Sequence, residues 1–120
     1  MHVRNAKAMP GITSPHGETV YELCGTSAGG AAQHSVALIT LAAGKASRKH
    51  YHPQAEESYT ILSGAARVTV GQESAELGEG DCVVIPPLKV HQITNIGAGE
   101  LRFLAVCVPP WTPNNSVYVD

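Results

Sequence analysis

GKASRKHYHPQAEESYTILSG, residues Gly44 to Gly64, sets His50 and His52 one residue apart, follows them with Glu57, and carries a glycine at each end. Residues two apart in an extended chain point to the same face, so His50 and His52 aim their imidazoles at one point. Pro53 breaks the strand, and the PQAE turn brings the chain back at Glu57. Two neutral imidazoles and a carboxylate are a common donor set for Mn, Fe, Co, Ni, Cu or Zn. His91 follows the Pro86-Pro87 turn on the stretch VHQITN and is a fourth candidate. If that strand crosses beside the first, the set becomes three histidines and one carboxylate. A single strand histidine is ordinarily a surface or hydrogen-bonded residue, and His2, His16 and His34 are read that way.

Outward from this stretch the chain alternates short strands with turns. Residues Thr19–Cys24, His34–Ala42, Glu57–Ser63, Ala65–Val70, Ser74–Leu77, Asp81–Ile85, Val90–Asn95 and Leu101–Val108 are rich in β-branched and apolar side chains and alternate in polarity. Glycines and the Pro86-Pro87 pair punctuate them, and no long window repeats at 3.6 residues. This spacing predicts an all-β sandwich, jelly roll or small barrel. One domain is expected, with residues 1–18 as an arm, 19–108 as the barrel and 109–120 as a tail packed on the barrel or on a partner subunit. The tail ends in an alternating Val117-Tyr118-Val119, an edge that needs covering.

Composition sets the outer limits. A chain of 120 residues with 43% hydrophobic content has room for one packed core. Charged residues make up 15%, against about 25% in an average domain; with the tail, this leads us to expect a homodimer. The net charge of −2 and the absence of a Lys/Arg cluster argue against nucleic acid or a polybasic membrane contact. The amino terminus lacks an apolar signal region, and the longest apolar run is about half the ~20 residues of a membrane span, so a cytoplasmic protein without membrane partners is expected. Cys24, Cys82 and Cys107 lack CxxC spacing and sit among apolar neighbours, and are expected to be buried reduced thiols.

The chain resembles the cupins. Their first motif is glycine, five residues, His-x-His, three or four residues, glutamate, six residues and glycine, which Gly44, His50, His52, Glu57 and Gly64 match. The second is glycine, five residues, Pro-x-Gly, two residues, histidine, three residues and asparagine, which Gly80, Pro86, His91 and Asn95 match, with Leu88 where the inner glycine is expected. Glu56 also has an allowed spacing from His52, but only Glu57 leaves six residues before Gly64; Glu56 is then a solvated, outward residue. The resemblance implies a cupin jelly-roll β-barrel (double-stranded β-helix). Within it His50, His52, Glu57 and His91 would hold one divalent transition metal, Gly64 and Gly80 would be turn residues, and Asn95 would bond backbone at a strand end.

Four protein ligands on an ion that prefers six leave about two open positions, and one carboxylate leaves a net charge near +1. Such a centre favours a small anionic or polyhydroxy metabolite. The expected function is a metal-dependent enzyme of isomerase, decarboxylase, lyase or dioxygenase type, with likeness to sugar-phosphate isomerase-like cupins; the alternatives are a non-catalytic binding or sensing module and a purely structural metal. Tyr59 is a candidate proton donor or core residue, Arg48 a candidate anion clamp or solvated charge, and Phe103 a candidate wall residue. No serine is framed by a base, so no hydrolase triad is expected.

Overall fold

The structure, a computed structural model, describes all residues from Met1 to Asp120. Eleven strands run in chain order as β1 (Ile12–Thr13), β2 (Glu18–Cys24), β3 (Ser35–Leu41), β4 (His50–Tyr51), β5 (Glu56–Ser63), β6 (Ala66–Val70), β7 (Glu73–Leu77), β8 (Cys82–Ile85), β9 (His91–Asn95), β10 (Leu101–Val108) and β11 (Val117–Tyr118). They form two antiparallel sheets, one ordered β1-β2-β3-β10-β5-β8 and the other β11-β4-β9-β6-β7. The eight long strands expected from alternation are present. Three two-residue strands, β1, β4 and β11, join them.

Alternation decides which side chains go inward. On β5 the buried residues are Glu57, Tyr59 and Ile61, and on β10 they are Leu101, Phe103, Ala105 and Cys107. Register places Ala105 opposite Tyr59 and Cys107 opposite Glu57. The apolar core joins Phe103, Leu41, Ile61 and Leu101 from one sheet to Val68, Ala66 and Ile93 from the other. Phe103 is 2% exposed, and truncating a buried phenylalanine to alanine costs roughly 3–5 kcal/mol.

The motif residues outside the histidines shape turns. Gly64 has φ +95°, and a side chain there would press on Glu100 and Leu101, so glycine is required. Asn95 clips a loop: its Nδ2 donates to the Leu41 and Gly99 carbonyls and its Oδ1 accepts from Gly97 N–H. Leu88 occupies the inner glycine position with φ +70°, while its N–H donates to the His52 carbonyl at 2.9 Å. The turn therefore keeps the left-handed conformation although the side chain is not glycine.

The tail crosses back over the barrel. Val117 pairs with Tyr51 and Tyr118 with His50. Trp111 N–H donates to Ser35 Oγ at 2.9 Å, and its indole Nε1–H donates to Ser116 Oγ at 3.1 Å.

The cysteine expectation needs correction. Cys107 is buried, but Cys24 is half-buried and Cys82 is exposed. The cause is the two-residue period: Cys82 pairs with Thr60 across β5 and β8 and so falls on the outer face of an edge strand, which apolar neighbours in sequence do not reveal.

Candidate metal centre

His50, on β4, pairs directly with His91, at the start of β9. His52 follows β4 immediately, and Glu57 enters from β5 in the opposite sheet. Their four donor atoms all lie within 4.8 Å of one another. Atoms bound at 2.0–2.2 Å to one ion lie at most about 4.4 Å apart, so the four are already gathered to within a few tenths of an ångström of a closed donor set.

Each histidine is fixed by the nitrogen that faces away. His50 Nδ1 donates to the Arg48 carbonyl at 2.7 Å, His52 Nδ1 to the Asn115 carbonyl at 2.9 Å, and His91 Nδ1 to the Lys89 carbonyl at 3.0 Å. A carbonyl can only accept, so all three rings carry hydrogen on Nδ1 and, when neutral, turn a lone pair inward on Nε2. The consequence is visible at the centre. His52 Nε2, His91 Nε2 and Glu57 Oε1 are buried without a hydrogen-bond partner, with Glu57 Oε1 at 3.3 Å from His52 Nε2 and 3.2 Å from His91 Nε2. Electron pairs facing one another in a buried space are unfavourable unless a cation, either a metal ion or a proton shared between a ring and the carboxylate, lies between them. The donor set and its orphaned atoms therefore fit a metal ion.

Within this group a proton between His52 and Glu57 competes with a metal ion. Burial opposes ionisation of Glu57, but the His52 and His91 rings and the Cys107 thiol outweigh it and hold the carboxyl well below the usual range. Burial, reinforced by His91, pushes His50 down to about 4, which keeps it a neutral donor. Burial also works against charging His52, but the Glu57 carboxylate outweighs it and leaves the pKa raised. Cys107 donates its thiol to Glu57 Oε2 at 2.9 Å; burial and that carboxylate push the thiol up, so it remains protonated. Oε2 is thereby engaged and Oε1 is left for the centre.

Beside the four donors lies a cavity of about 500 Å³ lined by His50, His52 and Glu57 and by residues of the segment around Met9 and Ile12. Arg48 lines it, but its Nε donates to Asp120 Oδ1 at 3.1 Å and its guanidinium lies 4.0 Å from the centroid of the Tyr118 ring. Tyr59 and Phe103 are absent from the lining: they stack in the core with ring centroids 4.9 Å apart. Glu56, His2 and His16 are exposed, and none of them belongs to the donor group. His34 is half-buried, with its Nε2 3.8 Å from Cys24 Sγ.

Sequence reasoning missed Cys107 and Asn115. Cys107 was recognisable only once β10 is paired with β5, which sets it opposite Glu57. Asn115 acts through its carbonyl, an atom every residue has, so no residue type signals it.

Two facing antiparallel sheets that hold three imidazoles and a carboxylate between them define a jelly-roll barrel with a group able to bind metal. The chain belongs to the cupin family: the Cupin_2 model, cupin domain, matches residues 37–107. An uncharacterized protein of Methanocaldococcus jannaschii is 33% identical over 114 residues, covering 95% of this chain and 90% of its own. Among solved structures, oxalate decarboxylase from Bacillus subtilis superposes with TM-score 0.82 at 26% identity, over 95% of this chain and 30% of that longer one. The polyketide cyclase RemF from Streptomyces resistomycificus superposes with TM-score 0.80 at 17% identity, over 100% of this chain and 87% of that one. No helix is long and apolar enough to cross a membrane.

Proposed function

We propose that the protein is a metal-dependent cupin enzyme in which His50, His52, Glu57 and His91 hold one divalent transition metal and a small oxygenated anion docks on the ion. The observation that carries this reading is the inward convergence of His52 Nε2, His91 Nε2 and Glu57 Oε1, orphaned and buried, while each histidine commits Nδ1 to a backbone carbonyl. An ion in this cradle supplies Lewis-acid polarisation of oxygen donors, together with redox reactivity where it is iron or copper. The residues around it do the rest. The three carbonyls fix ring orientation and tautomer, which raises donor strength. Cys107 holds the Glu57 carboxylate so that one oxygen faces inward. The similarity to an oxalate decarboxylase, which by its name acts on a carboxylate, supports a carboxylate-like ligand.

Elemental analysis of natively purified protein tests the centre. His91→Ala, His50→Ala and His52→Ala should each lower metal affinity at least 10–100-fold, the range for losing only a supporting partner. His16→Ala, on an exposed residue, should keep full metal. Stoichiometric metal in His91→Ala would falsify the assignment. A second measurement titrates carboxylates and matched uncharged analogues into holo protein, apo protein and Glu57→Gln. Docking on the ion requires that the apo form bind the preferred carboxylate more weakly than the holo form.

A further inference from the structure

The cavity beside the metal centre has a wall of a particular kind. Register on the inner face of the six-stranded sheet lines up Glu22, Ala37 and Ala105 in one row and Val20, Ile39 and Phe103 in the next. Ala37 and Ala105 sit directly opposite one another, and two methyl side chains in adjacent central strands leave a hollow where larger residues would fill the barrel. Ala37, Ala105, Val20, Ile39, Met9 and Trp111 line the cavity. The space, about 500 Å³, falls in the range of small-molecule sites. It is continuous with His50, His52 and Glu57.

The remaining wall carries charge of both signs. Arg48 is paired with Asp120. Arg4 donates to the Ala28 carbonyl, and Glu22 accepts from the Ala28 N–H. Glu18 adds a second carboxylate to the lining, bound to the Ser14 hydroxyl. Arg4 is the one guanidinium of this wall without an ion pair, too few cations to receive a phosphate, and the hollow between Ala37 and Ala105 presents methyl and methylene groups.

The geometry points to a substrate of amphipathic form: one anionic, chelating oxygen head at the His50/His52/Glu57/His91 group and an apolar body, aromatic or branched aliphatic, lying over Ala37, Ala105, Val20 and Ile39. Sugars and sugar phosphates are disfavoured by the same wall. This inference rests on the reading of the four-residue group as a metal centre, and it adds the substrate class. The physical argument is area: apolar surface removed from water stabilises in proportion to its extent, about a three- to fourfold gain in affinity for each fully buried methylene.

The test is calorimetric titration of Mn²⁺-loaded protein with pyruvate, 4-methyl-2-oxopentanoate, phenylpyruvate, gluconate and 6-phosphogluconate. Affinity should rise along the three oxo acids, phenylpyruvate binding at least tenfold tighter than pyruvate, and neither sugar acid should surpass pyruvate. A flat or reversed oxo-acid series, or a sugar acid as the tightest ligand, would overturn the inference. Ala37→Leu fills the hollow and should cut the advantage of phenylpyruvate over pyruvate at least fivefold. Val20→Thr, nearly unchanged in shape, should cut it two- to threefold and guards against a folding failure of the first variant. An unchanged ratio in both variants counts against the wall. Repeating the titration on apo protein separates the two readings. Equal binding with and without the ion defeats docking on the metal, whereas loss of the size trend defeats the apolar body.

Discussion

At the scale of single residues, the donor group shows how much rests on what lies behind each donor. His50, His52 and His91 each need a carbonyl behind them, and Glu57 needs the Cys107 thiol. The four donors were legible in the sequence because strand parity puts His50 and His52 on one face and the resemblance to the cupins ties Glu57 and His91 to them. Their supports were not, since backbone carbonyls belong to every residue and Cys107 meets Glu57 only across a strand pair. Leu88 offers a separate test. It sits at φ +70° and is 65% exposed, so it has little packing to lose. The left-handed conformation costs an L-residue roughly 1–2 kcal/mol, while glycine gives back roughly 0.5–1 kcal/mol through its freer unfolded chain. Leu88→Gly should therefore stabilise the protein by about 0.5–1 kcal/mol, raising the denaturation midpoint in a urea or thermal titration. A lowered midpoint would mean that the leucine side chain contributes more than its exposure implies.

Among the elements, length governed what the sequence showed. Strands of four or more residues carry enough alternation to be read, and β10 was delimited to the residue, Leu101–Val108. The two-residue strands β1, β4 and β11 are too short for alternation to delimit, although HxH and Val117-Tyr118-Val119 mark two of them as extended; each is held by a partner strand beside it. The partner of β11 is β4, so the tail is bound to the strand that presents His50. The same segment supplies the Asn115 carbonyl to His52 and rests Tyr118 with its ring centroid 5.7 Å from that of His50. None of residues 109–120 belongs to the apolar core cluster. Ending the chain after Thr112 should thus leave strand content by circular dichroism nearly intact, yet weaken metal binding roughly 10–100-fold in competition with a chromogenic chelator. Unchanged affinity in the truncated protein would show that the tail is not a support of the centre.

Over the whole molecule, the six-stranded sheet has two unlike faces. The inner one holds Glu57 and the hollow. By alternation, the outer one carries Val36, Val106, Ser58 and Val84 in one row and Leu38, Leu104, Thr60 and Cys82 in the next. Val84 is 58% exposed, and Val36, Leu104 and Val106 are only half-buried. An apolar sheet face with so few charges favours a symmetric contact with a second copy, which is the commonest way to cover one. Light scattering at micromolar concentration should give the mass of a dimer, and Val84→Glu combined with Leu104→Glu should give a monomer. Because β11 pairs with its own chain, removing the tail should leave the dimer in place. A monomer in the unaltered protein would exclude this contact.

The pairing of Tyr118 with His50 also bears on how the chain reaches this state. The tail that makes it adds a two-residue strand and no residue of the apolar core, and an element so short is marginal until the strand it pairs with is held in place, so it forms late on the way to the native state. The cradle around Glu57 is then incomplete at the folding barrier, where the strands β2, β3, β5 and β10 can already be in register. An ion that recognises only the finished cradle cannot hasten the climb to that barrier; its whole binding energy acts on the return journey, by slowing unfolding. For this protein, metal in the cell would govern how long a folded molecule lasts and leave the speed at which it folds unchanged.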